Sequence, residues 1–205
     1  MLLHRPLLTI TPSVDGDVLM VLARADSEFT APDIHRLLGR WSVQGIRKAL
    51  DRLVSQGAVA VRESRAASFY RLNREHLAAP AIIELASLRL RFYEKLEESF
   101  EAWAPKPAVA AVFGSAVRSE MTVSSDIDIF IARPDAIEAE HPDWVAQMSD
   151  LVQAASNWTG NDVRVFELPL SEARQRLAEG DEVLRSIGKE GIAVYGDLDL
   201  VRRGR

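Results

Sequence analysis

Two apolar runs separated by a short polar interruption constrain this chain more than any other feature. Residues 108–113 read AVAAVF, a buried strand in length and composition, and they run straight into Gly114 and Ser115. About ten residues later comes Ser125-Asp126-Ile127-Asp128-Ile129-Phe130-Ile131-Ala132, stopped by Pro134. Strand side chains alternate with period 2, so Asp126 and Asp128 share one face while Ile127, Ile129 and Ile131 point into a core. Two carboxylates so placed can share one or two hard cations. Mg²⁺ prefers a couple of carboxylates plus phosphate oxygens and water to an all-protein cage, so the pair suffices when a nucleotide supplies the remaining ligands. A glycine that lets the backbone approach closely, followed by a serine hydroxyl and N–H, is what a triphosphate cradle requires.

Several classes fall away. The 205 residues suit one large domain or two small ones, and 47% hydrophobic with 27% charged is an ordinary globular composition. The absence of cysteine removes disulfides, thiolate metal sites and cysteine nucleophiles. His4, His35, His76 and His141 are scattered without metal-ligand spacing. His4, Arg5 and Pro6 interrupt the opening residues before a signal-peptide core can form, and no later run approaches a membrane span, so no membrane partner and a cytoplasmic location are expected.

Charge divides the chain. Residues 1–75 carry a net +3 and residues 76–205 a net −8; within 36–74 nine arginines and lysines face only Asp51 and Glu63. An anionic partner is expected for that segment and not for the acidic remainder. Val18, Leu19, Leu22 and Ala23 predict a first helix. Thr30, Pro32 and Asp33 open a second that ends at Gly39, and Ser42 caps a third that ends at Gly57. Residues 58–62 and 68–72 predict two strands joined by a basic turn. Gly45 weakens the third helix by up to ~1 kcal/mol relative to alanine, unless it permits a close approach. This order resembles a winged helix-turn-helix. The resemblance implies duplex DNA as partner, with Ser42, Gln44, Arg47 and Lys48 facing bases or phosphates and Arg65 on the wing. Next, Leu85, Leu88, Phe92, Leu96, Phe100 and Trp103 recur at steps of 3 or 4 and predict one long amphipathic helix. Its stripe is expected to pack on the second domain, with a homodimer as the lesser use.

The stretch GSAVRSEMTVSSDIDIF at 114–130 resembles minimal nucleotidyltransferases of the DNA polymerase β superfamily. Asp15-Gly16-Asp17 and Asp197-Leu198-Asp199 share the carboxylate spacing without the strand and Gly-Ser, and are expected to be solvated turns. The resemblance implies that Gly114 and Ser115 hold the phosphates of a nucleoside triphosphate, with Ser125 and Arg118 in the same motif, and that Asp126 and Asp128 bind Mg²⁺. Val117 and Ser119 depart from the family's Ala-Arg-Gly. The family's third catalytic carboxylate belongs on the strand after a long helix, predicted here at 144–158. Between Val163 and Val165 that position is Arg164. Asp162 serves instead if the register shifts, and Glu167 lies on the other face. A helix over 171–187 and a strand over 192–195 complete the prediction.

The expected architecture is a winged helix-turn-helix domain (1–76), a connector helix (77–103) and an α/β nucleotidyltransferase-fold domain with a mixed sheet (104–205). Nucleotidyl transfer to an unnamed acceptor is the expected activity. The alternative is a DNA-binding transcriptional regulator whose degenerate second domain senses a nucleotide or acts as a scaffold. Minimal nucleotidyltransferases also occur in toxin-antitoxin systems, which adds a third reading by analogy alone.

Overall fold

A computed structural model describes residues 1–202. The chain forms two compact units, Arg5–Arg89 and Met1–His4 with Leu90–Arg205. No helix among the described residues is long and apolar enough to cross a membrane.

The first unit contains α1 (Val14–Arg24), α2 (Ala31–Leu38), α3 (Val43–Ser55), the antiparallel hairpin β1 (Val59–Glu63) and β2 (Ser68–Leu72), and α4 (Ala79–Ala86). Both predicted caps form. Thr30 and Asp33 close a capping box on α2, and Ser42 Oγ accepts from the Gly45 N–H at 3.0 Å on α3. A Cβ at Gly45 would sit 3.3 Å from Ser42 Oγ, so the close approach that offsets this glycine's helix cost is to its own cap. Phe29 and Tyr70 exchange backbone hydrogen bonds of 2.9 and 2.8 Å, which adds a bridge to the hairpin edge. Val18, Leu22, Ile34, Ile46, Leu50 and Val59 form the core.

Asp15-Gly16-Asp17 is not a solvated turn. It lies inside α1, and Asp17 is buried. Arg5 clasps its carboxylate through Nε and an Nη, at 3.0 and 2.6 Å, and Trp41 Nε1 donates to it at 2.6 Å. A buried carboxylate persists only when charge and hydrogen bonds compensate its lost hydration, and here both do.

The long connector is two helices. α4 ends at Ala86, where the Ser87 hydroxyl donates to the Ile83 carbonyl at 2.8 Å, and α5 (Leu88–Ala102) follows. A serine that bonds back to the preceding turn competes with helix continuation. The apolar stripe divides with the helix. Ala79 and Ala86 pack into the first unit's core, whereas Phe92, Leu96, Phe100 and Trp103 pack into the second's.

The second unit has a four-stranded mixed sheet in the order β5-β4-β3-β6: β3 (Val109–Phe113), β4 (Ile127–Arg133), β5 (Val163–Pro169) and β6 (Ile192–Tyr195). β4 runs antiparallel to β3 and parallel to β5. α5 and α7 (Pro142–Thr159) supply Phe92, Leu96, Phe100, Trp144, Leu151 and Ala155 to the core shared with Ile127, Ile129 and Ile131. The opposite face, with Val109, Ala111, Phe130 and Ala132, packs on α8 (Leu170–Glu179), α9 (Glu182–Glu190) and α10 (Asp199–Arg202). The helix predicted over 171–187 is interrupted. Gly180, at φ 97°, ends α8, and Asp181 caps α9 by accepting from the Leu184 N–H. Asp197-Leu198-Asp199 is only partly the solvated turn expected: the Asp197 carboxylate accepts from the N–H of Asp199, which opens α10, while Leu198 is buried in the core.

Candidate functional site

The two strand pairings of β4 bring the sequence-predicted residues together. In the antiparallel pairing Phe113 stands opposite Asp128, so the Gly114 that follows β3 lies beside the Asp128 carboxylate. Gly114 has φ 71°, and a Cβ built there would meet Asp128 Oδ2 at 2.5 Å. Only glycine satisfies both the backbone conformation and the space. Ser115 then starts the short helix α6 (Ser115–Arg118). Ser119 ends it at φ 62°, in the left-handed region that favours glycine, which is the residue the superfamily resemblance places there.

Asp126 sits one residue ahead of β4, and the Ile127 N–H donates to the Asp162 carbonyl at 2.8 Å. Asp126 and Asp128 are close enough to repel each other: burial first, and then the Asp126 charge, push the Asp128 carboxyl above the usual carboxylate range against the pull of Arg164 and Arg118. The segment before Asp126 is pinned. Ser125 Oγ accepts from the Thr122 N–H at 2.9 Å, and Asn161 Nδ2 donates to the Ser125 carbonyl at 3.0 Å. Asn161 was missed in the sequence, where it reads as an ordinary residue after the Gly160 stop. The predicted Ser125 hydroxyl therefore serves a turn. Arg118 is also engaged, at 2.8 Å from Glu120 and 2.6 Å from Glu190.

The parallel pairing puts Arg164 opposite Asp128, on the face predicted for the third carboxylate. Its Nε lies 2.8 Å from Asp126 Oδ2. Asp162 is exposed immediately before β5, and Glu167 is on the other face, where it accepts from Arg133 at 2.6 Å and from Trp144 at 3.1 Å. No group of three or more histidine, aspartate or glutamate side chains among the described residues could by itself hold a metal ion. Asp126 and Asp128 could hold part of the coordination shell of a divalent cation, the rest of it coming from outside the chain.

In the first unit, the arginine excess of 36–74 is largely neutralised. Arg52 pairs with Asp15, Arg62 with Glu28, Arg74 with Asp26 and Arg36 with Asp33, while Arg40 lies 3.6 Å from Asp17. Arg47 and Lys48 on α3 and Arg65 in the hairpin turn are exposed and make no ion pair with the described residues. Gln44 is exposed beside them, and Ser42 is occupied as the cap. A groove of about 420 Å³ is lined by Arg47 and Asp51 of α3, the start of α2 at residues 30–32, and residues 66–68 and Tyr70 of the hairpin.

Residues 68–160 match the family model described as "Putative nucleotidyltransferase DUF294". That segment is nucleotidyltransferase-like. The match includes Gly114, Ser115, Asp126 and Asp128 and stops before β5, so it leaves out Asp162 and Arg164. No curated protein matches the chain. A solved toxin-antitoxin structure with AMP-PNP is similar at 19% identity and a TM-score of 0.37, over 54% of this chain and 77% of that one.

Folding raises the Asp128 pKa, so the stability associated with its protonated form is complete at acid pH. It is lost as pH rises from the unfolded value through the folded one. Asp128→Asn should therefore raise the melting temperature at neutral pH and leave it nearly unchanged at about pH 3. Differential scanning calorimetry checks this, and destabilisation at neutral pH would mean that the carboxylate is favourably paired.

Proposed function

We infer that the nucleotidyltransferase-like domain binds a nucleoside triphosphate together with Mg²⁺. Gly114 and Ser115 would hold the phosphates, and Asp126 and Asp128 would hold one ion. The observation that carries this reading is the seating of Gly114 against Asp128, a bare backbone at positive φ beside a half-buried carboxylate. A bound ion would neutralise phosphate charge and polarise a phosphoryl oxygen. The protein side positions: β3 presents the glycine, β4 the carboxylates, and Asn161 steadies the approach to Asp126.

Transfer of the nucleotidyl group to an acceptor, with release of pyrophosphate, is a second reading. What supports it is Asp162, level with Asp126 through the Ile127 N–H and open to solvent. What supports retention without transfer is the Arg164–Asp126 pair. The retention reading agrees better with the geometry, and it suits a regulator whose second unit reports a nucleotide.

For the first unit we propose duplex DNA binding by a winged helix-turn-helix. Its support is the sequence of three helices and a hairpin, with Arg47, Lys48 and Arg65 exposed on α3 and the hairpin turn and in no ion pair with the described residues.

Replacing Asp126 and Asp128 together by asparagine should abolish Mg²⁺-dependent triphosphate binding in calorimetry while circular dichroism stays unchanged. ATP and GTP affinities equal to wild type would overturn the site. With labelled triphosphates, Mg²⁺ and cell extract as acceptor, retention expects no pyrophosphate release by the wild type. Robust release that Asp162→Asn abolishes would establish transfer. In gel-shift titrations on genomic fragments, the Arg47→Ala, Lys48→Ala protein should bind more weakly, with a log–log salt slope shallower by about two. An absence of retardation by the wild type at low salt would assign the first unit to protein docking.

A further inference from the structure

Arg164 occupies a position at which its charge bears directly on the nucleotide site. The parallel ladder sets it opposite Asp128, alternation turns it to the same face, and its Nε reaches Asp126 Oδ2 at 2.8 Å. Within β3 and β5 themselves no further carboxylate lies on that face; Asp162, level with Asp126, stands one residue ahead of β5 and is exposed to solvent. Phe113 precedes Gly114 on β3, and Glu167 is turned away into its pair with Arg133. A pair of divalent ions bound side by side needs a ligand set that reaches both, and a guanidinium, with donors only, cannot ligate either.

We propose that Arg164 stands in for a second divalent cation, so that the site accepts a single ion with its triphosphate and holds the nucleotide unreacted. This rests on the nucleotide-binding reading above. The Arg164 side chain is 74% exposed and that of Asp126 24%, so their pair is loose enough to yield when an ion arrives with phosphates. The freed guanidinium then faces an anion in place of a carboxylate, and bidentate phosphate recognition is what its fork geometry suits. The fixed charge cannot dissociate. Nucleotide occupancy therefore responds to one ion only, and the metal arrangement that would activate an acceptor is never completed.

The test is Mn²⁺ stoichiometry by electron paramagnetic resonance, on the full chain with a non-hydrolysable triphosphate. Wild type should bind one Mn²⁺ and Arg164→Asp should bind two. One ion in both proteins, or two in the wild type, overturns the proposal and leaves nucleotide binding intact. No nucleotide-dependent Mn²⁺ in either protein overturns both. Arg164→Ala introduces no new carboxylate and guards against misfolding of the aspartate variant. It should keep a stoichiometry of one and bind Mn²⁺ without nucleotide up to about fivefold more tightly, because nothing competes for Asp126. Unchanged or weaker Mn²⁺ binding by that variant counts against the proposal.

Discussion

The position of β4 between an antiparallel and a parallel neighbour is the constraint on which the candidate site depends. The antiparallel pairing with β3 ends at Phe113–Asp128 and delivers Gly114 onto a carboxylate. The parallel pairing with β5 delivers Arg164 to the same residue from the other side. Strand alternation then separates the tasks: Ile127, Ile129 and Ile131 fill the core under α5 and α7, and Asp126 and Asp128 stay on the face with Arg164. A one-residue slip of β4 would exchange these sets and bury the carboxylates, so the apolar core enforces the polar site. The cost falls on Asp128, which is partly desolvated beside a like charge.

Local pairing decides what the first unit's charge can do. Nine basic residues in 36–74 suggest a broad cationic surface, yet Asp15, Asp17, Asp26 and Glu28, which precede that segment, take up four of the arginines. Solvent-screened pairs such as Arg52–Asp15, Arg62–Glu28 and Arg74–Asp26 add little to stability, but they redraw the electrostatic surface. With Arg36 paired to Asp33, the cations left are Arg47 and Lys48 on α3, Arg65 in the hairpin turn and Arg71 on β2. The buried Asp17 is different in kind. Bidentate Arg5 and Trp41 Nε1 anchor the residues before α1 and the turn before α3 to one carboxylate.

Features set by neighbours in sequence were legible. The strand before Gly114-Ser115 follows from its unbroken apolar run and the strand after Ser125-Asp126 from period-2 alternation, and the caps at Thr30 and Ser42 follow from residue type at a helix start. Arg164 between Val163 and Val165 was legible at the third-carboxylate position, but the alternative register that brings in Asp162 stayed open until the strand pairing set Arg164 opposite Asp128. What escaped depends on distant partners or on a competing side-chain bond. Ser87 divides the connector through its hydroxyl, and Gly180 with Asp181 divides the last long helix, where the apolar spacing continues across the break. Asp17 read as solvated because Arg5 and Trp41 reach it from outside its own helix. Asn161 gave no signal, because its side chain serves partners distant in sequence, the Ser125 carbonyl and the Met1 ammonium.

The central claim is that Gly114, Asp126 and Asp128 form one triphosphate site. The most direct measurement is anomalous diffraction from crystals of the full chain grown with Mn²⁺ and a non-hydrolysable triphosphate. The expected result is a Mn²⁺ peak ligated by Asp126 and Asp128, with phosphate density against the Gly114–Ser115 backbone. Nucleotide density elsewhere on the molecule, with these carboxylates still paired to Arg164 and free of metal, would contradict it.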